Sequence, residues 1–180
     1  MKLSTKQKKT VLRTVRIAEE LDGILEKDAK VNRTSVNALI SSIMAKYSEW
    51  DRFTERFGHV SLPKTVFRTL LDLADENALA RIAEQMGVQL PNEVISFWFK
   101  KINLETVLQF ISIVSQYGNL GEVEIENRGR DYTIIVHHEY GKMWSIYLKH
   151  FLDQMIRTYL KAVPEIETGE NAITLRFQEA

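Results

Sequence analysis

Hydrophobic positions along this chain follow two periods in turn. Residues 10–17, TVLRTVRI, alternate with period two. A strand with that pattern sets Val11, Arg13, Val15 and Ile17 on one face and Thr10, Leu12, Thr14 and Arg16 on the other. From residue 18 the period lengthens. Leu21, Ile24, Leu25 and Ala29 recur at helical spacing, behind Glu19, Glu20 and Asp22 in the first turn, where the helix dipole favours acids. KVN breaks the pattern, and Asn32 is expected to cap a second helix over RTSVNALISSIMAKYSEW. Val36, Leu39, Ile40, Ile43, Met44 and Tyr47 form one broad stripe on it.

RFGHVSLPK marks a boundary. Gly58 can end the second helix or an extension of it, and Ser61 and Pro63 open the next. Residues 62–117 read as helical. PKTVFRTLLDLAD and NALARIAEQM are amphipathic, with a stop at Gly87. PNEVISFWFKK opens on Pro91, and NLETVLQFISIVSQYG is capped by Asn103 and closed by Gly118. LARIAEQMGVQLPNEVISFW has the look of a helix-turn-helix. Its second half is acidic at Glu93 and crowded with Phe97, Trp98 and Phe99, which suits packing rather than base reading.

After residue 120 period two returns. EVEIEN and DYTIIVHH flank RGR, a hairpin signal at Gly129. Gly141 ends the second strand, KMWSIYLKHFLDQMIRTYLKAV reads as a long amphipathic helix stopped by Pro164, and AITLRF is a last strand. The expected fold class is therefore α+β: a strand-helix-helix module over residues 1–58, then, over 59–180, a helical segment and a small antiparallel α+β domain.

Composition narrows the possibilities. The chain has 180 residues and no cysteine, so it has no disulfide framework and no thiolate chemistry. MKLSTKQKKT lacks the apolar core of a secretory signal, and no run of about 18 apolar residues exists to span a membrane. The expected compartment is the cytoplasm. The net charge of zero hides an asymmetry: Lys2, Lys6, Lys8, Lys9, Arg13 and Arg16 precede the first acid, at Glu19. A basic arm on a mildly acidic body points to a polyanion contact.

Strand, helix and second helix within about 45 residues hold too little core for a stable monomer. VRIAEEL and NRTSVNALI, within residues 10–50, resemble the strand-to-helix junction and second-helix start of the ribbon-helix-helix proteins of the MetJ/Arc class. Ala18 stands where proline is frequent in that family. The resemblance covers less than a third of the chain. It implies a homodimer, with a possible tetramer, whose two strands pair antiparallel and lie in the major groove of double-stranded DNA. Carried over by position, Leu12, Thr14 and Arg16 would face the bases. Lys6, Lys8 and Lys9 of the arm, with Asn32, Arg33 and Thr34 at the second helix start, would hold phosphates. Leu12 departs from the polar residue usual there, and Arg13 falls on the buried face. A slip of one residue would make Arg13 the base reader.

VHHEYG is the densest polar cluster of the second half. Adjacent histidines on a strand diverge, and His150 lies far along the chain, so no metal site is expected. No nucleophile elbow, phosphate loop or paired-carboxylate motif occurs, so no catalytic residues and no cofactor are expected, and the chain does not read as an enzyme. Two functions remain. One is a sequence-specific transcriptional regulator or repressor whose C-terminal domain senses an effector or oligomerises. The other is a protein-interaction or assembly module, or antitoxin-like partner, whose ribbon-helix-helix serves dimerisation alone.

Overall fold

The computed structural model describes residues 10–119 and 121–179. The chain divides into two compact units, Met1–Ser48 and Glu49–Ala180.

In the first unit, α1 spans Glu19–Val31 and α2 spans Val36–Lys46. α1 begins at Ala18, with Glu19, Glu20 and Asp22 in its first turn and Lys30 in its last, both matched to the helix dipole. The strand expected over residues 10–17 is not formed, and no strand precedes Glu122 among the described residues. Among the described residues the segment has no ladder partner. Asn32 is also not the cap of α2. It terminates α1, and its side-chain amide donates to the Asp28 carbonyl at 2.9 Å. Arg33 takes the left-handed conformation (φ 51°) that turns the chain. Ser35 is the actual cap, its Oγ accepting from the Ala38 amide at 3.1 Å. Ala29 is the only buried residue among those described in this unit.

In the second unit, a π turn at Tyr47–Asp51, begun in the last residues of the first unit, leads into α3 at Arg52–Phe57. Gly58 closes α3 in the left-handed conformation (φ 67°). α4 follows at Lys64–Asp72, α5 at Glu76–Phe99 and α6 at Leu104–Gly118. The cap expected at Asn103 forms, and Thr106 completes it as a capping box. The unit therefore starts at Glu49, earlier than the boundary read at residue 58. The reason is aromatic: Trp50 packs edge-on to Trp98 at 6.0 Å, while Phe53 and Phe57 each meet Phe97 at 5.7 Å.

α5 overturns the expected stop at Gly87 and start at Pro91. It runs unbroken for 24 residues with both inside it and buried. Glycine in a helix interior costs about 1 kcal/mol relative to alanine. Here it clears space for a neighbour, because a Cβ on Gly87 would lie 2.5 Å from the Phe151 carbonyl oxygen. Phe151 belongs to α7, Lys142–Leu160, which therefore touches α5 backbone to backbone. Tyr159 reinforces the pair, its hydroxyl donating to the Val88 carbonyl at 2.6 Å, within a turn of Pro91.

The sheet is antiparallel, in the order β1-β2-β4-β3, with β1 at Glu122–Arg128, β2 at Asp131–His137, β3 at Glu165–Thr168 and β4 at Ala172–Gln178. Period-two alternation sends Ile134, Val136, Ile173 and Leu175 into one core with Leu148, Leu152, Met155 and Ile156 of α7. Ile134 faces Leu175 and Val136 faces Ile173 across the β2–β4 ladder. The mixed α+β class holds, but β3 is an addition: EIET is too short and too acidic to show a strand pattern. Among the described residues, no helix is long and apolar enough to cross a membrane.

Two stability predictions follow from this packing. Residues 49–180 alone should melt cooperatively in urea, and a fragment starting at Ser61 should lose at least about 3 kcal/mol with Trp50, Phe53 and Phe57. In the same assay Gly87→Ala should destabilise by about 1–3 kcal/mol, the reverse of its effect in an open helix. A stabilised Gly87→Ala would contradict the backbone contact.

Candidate functional site

The first unit holds the predicted base readers. Leu12, Thr14 and Arg16 are all exposed, Leu12 at 92%. Arg13, on the opposite face, is exposed as well. Neither face of the segment is covered, so the chain by itself does not choose between Arg13 and Arg16. The apolar residues of the segment are equally open, with Val11 at 73% and Val15 at 69%. On the helices, Leu21, Ile24, Ile43, Met44 and Tyr47 are exposed as well.

The predicted phosphate contacts divide three ways. Lys6, Lys8 and Lys9 lie outside the described residues. Asn32 is occupied as the end of α1. The amides of Arg33 and Thr34 already donate to the carbonyls of Lys30 (3.2 Å) and Ala29 (2.9 Å), so they are not open donors. The amides that helix geometry leaves without an intrahelical acceptor belong to Val36 and Asn37, beside the Ser35 cap. Sequence reading missed this shift because Asn32 and Ser35 are both good caps, and the left-handed Arg33 that separates them has no sequence signature.

Two concave sites of the second unit bear on function. A polar one, about 370 Å³, is lined by Lys64, Ser115, His137, His138, Glu139 and neighbours. His138 is buried and fully engaged. The Tyr140 amide donates to its Nδ1 at 3.3 Å, so the proton sits on Nε2, which donates to Ser145 Oγ at 2.9 Å. Ser145 Oγ in turn donates to the Glu170 carbonyl at 3.3 Å. With both ring nitrogens used, His138 serves the fold, and a serine that passes its proton to a backbone carbonyl is not activated as a nucleophile. Desolvation, helped by His137, holds the His138 imidazole below the usual histidine range. At the mouth, Lys64 and Glu139 pair at 2.7 Å. Their hydrogen bond raises the lysine pKa and lowers the glutamate pKa. Among the described residues, no three histidine or acidic side chains are grouped to hold a metal ion.

The other site is an apolar cavity of about 350 Å³. Trp144, Tyr147 and Phe151 make one wall of it, stacked along α7 at 4.9 Å and 5.9 Å. Trp98, Phe110 and Trp50 contribute elsewhere to the lining, Trp50 delivered by the π turn. Burial pushes the Tyr147 phenol up to about 12, so it stays neutral. The Trp98 indole N–H is buried with no hydrogen-bond partner. His59 also lines the cavity. Its Nδ1 donates to the Thr54 carbonyl at 3.2 Å. Trp98 reads in the sequence as packing, and nothing local brings it together with Trp50 or Trp144. All three tryptophans of the chain line this one cavity.

No family model matches the chain, and no curated protein matches it.

His138 generates a pH prediction. Its folded pKa lies below the unfolded value of about 6.5, so the unfolded state binds the proton more readily. Its contribution is fully present above about pH 6.5 and declines as pH falls below that value. Comparison of urea melts at pH 7.5 and 5.5 should show a smaller acid loss in His138→Gln than in the wild type.

Proposed function

We propose that the chain is a homodimeric, sequence-specific DNA-binding regulator of the ribbon-helix-helix kind, acting in the cytoplasm, with its second unit as the effector-sensing or oligomerising domain. The observation that carries this reading is the openness of the first unit. Its alternating segment exposes Val11, Val15 and Ile17, its helices expose Leu21, Ile24, Ile43 and Met44, and Ala29 is the one described residue it buries. A second copy that paired with residues 10–17 would satisfy the backbone donors and cover these stripes together. Exposed Arg16 and Thr14 then suit base edges, with Leu12 beside them, and the arm with Lys6, Lys8 and Lys9 suits phosphates. The amides opening α2 at Val36 and Asn37 replace those of Arg33 and Thr34 in this scheme.

Selection of duplexes from a random pool should return an inverted repeat. Replacing Lys6, Lys8 and Lys9 with alanine should weaken binding to all sequences and flatten the salt dependence by roughly one slope unit per lost contact. Arg16→Ala should relax specificity at one position per half-site, by about 1–3 kcal/mol, and spare most nonspecific affinity. That effect from Arg13→Ala instead would move the register by one residue. Val15→Pro should dissociate the dimer in light scattering. A wild type that dimerises yet binds duplex no better than an acidic control would be an assembly module.

A further inference from the structure

We propose that the aromatic cavity of the second unit binds an uncharged aromatic molecule of two or three fused rings. As a ligand site it stands on the cavity alone; as the regulator's effector site it rests on the DNA-binding reading above.

Volume sets the size. An apolar cavity of about 150 Å³ takes one benzene ring. At about 350 Å³ this one has room for more than twice that. Chemistry sets the class. The described lining residues include no aspartate, glutamate, lysine or arginine, so a carboxylate or ammonium would meet no permanently charged partner there. An uncharged ligand is favoured over a fatty acid on that ground. Flat rings of Trp50, Trp98, Trp144 and Tyr147 favour offset or edge contacts with another ring system over an alkyl chain.

Three features show a site kept open at a cost to the fold. A π turn, uncommon and frequent at functional sites, carries Trp50. Gly118 also leaves Trp50 its place, since a Cβ there would lie 2.9 Å from the indole ring. The third is the Trp98 indole N–H, a donor buried beside the cavity without a hydrogen-bond partner in the protein.

The test is a titration of the full chain with 1-aminoanthracene, an uncharged three-ring fluorophore, with its emission excited directly and no DNA present. Emission should rise to saturation at one probe per chain, and naphthalene should displace the probe while decanoate does not. Val114→Trp and Leu90→Trp fill the cavity from α6 and α5. Each, once circular dichroism shows it folded, should bind the probe about tenfold or more weakly, the scale of an overfilled apolar pocket. If neither variant folds, the competition in the wild type decides. The proposal is overturned by emission that does not saturate, by decanoate competing as well as naphthalene, or by folded variants that bind as the wild type does. Loss of the probe as chain concentration rises would overturn it too, in favour of an interface between copies. Failure of the DNA-binding reading is distinguishable, because duplex binding is measured without probe.

Discussion

The second unit depends on one close approach, between the backbone of α5 at Gly87 and that of α7 at Phe151. A Cβ on the glycine would come within 2.5 Å of the Phe151 carbonyl oxygen, so any other residue forces the helices apart. α7 has two obligations. Toward the sheet it presents Leu148, Leu152, Met155 and Ile156, which close over Ile134, Val136, Ile173 and Leu175. Toward the helices it presents Gly87's neighbour Phe151 and the stack of Tyr147 and Trp144. Moving α7 outward would loosen the sheet cover and the aromatic wall at once. The intrinsic cost of glycine within a helix is small beside the close packing it permits.

The same helix pair explains why an apolar cavity persists next to a well-filled core. The sheet side of α7 is aliphatic, and branched side chains interdigitate to fill space. The other side is built of flat rings, which stack along the helix and leave planar gaps where they meet rings from α3, α5 and α6. Tyr159 and Val88, bonded at 2.6 Å, fix the helices axially, so the gap cannot close by sliding.

Much of this architecture is legible in the sequence, for reasons that are local. The cap at Asn103, the Gly129 hairpin and the period-two strands announce themselves because their causes lie within a few residues. The failures share a different cause. Gly87 and Pro91 read as punctuation, since the close approach that uses Gly87 is to Phe151, sixty-four positions away. β3 is visible only as a partner of β4. Asn32 and Ser35 compete as caps, and the contest is decided by a left-handed Arg33. The cavity was hidden in the same way: Trp50, Trp98 and Trp144 sit in three separate segments, and each alone looks like packing. The alternating residues 10–17 are the converse case, a strand pattern legible in sequence with no ladder partner among the described residues.

The clustering of the tryptophans also divides the molecule optically. All three belong to the second unit, which spans Glu49–Ala180, and all line one cavity. Intrinsic indole emission from this protein is therefore the signal of a single place. It follows the environment of that cavity closely and reports the first unit only indirectly. An unfolding curve recorded by tryptophan emission describes the larger unit, while the smaller one, with exposed Arg13 and Arg16, passes through its own transition unseen. Far-ultraviolet dichroism, dominated by helices in both units, would record the sum. The difference between the two curves is then a label-free record of the ordering of the first unit.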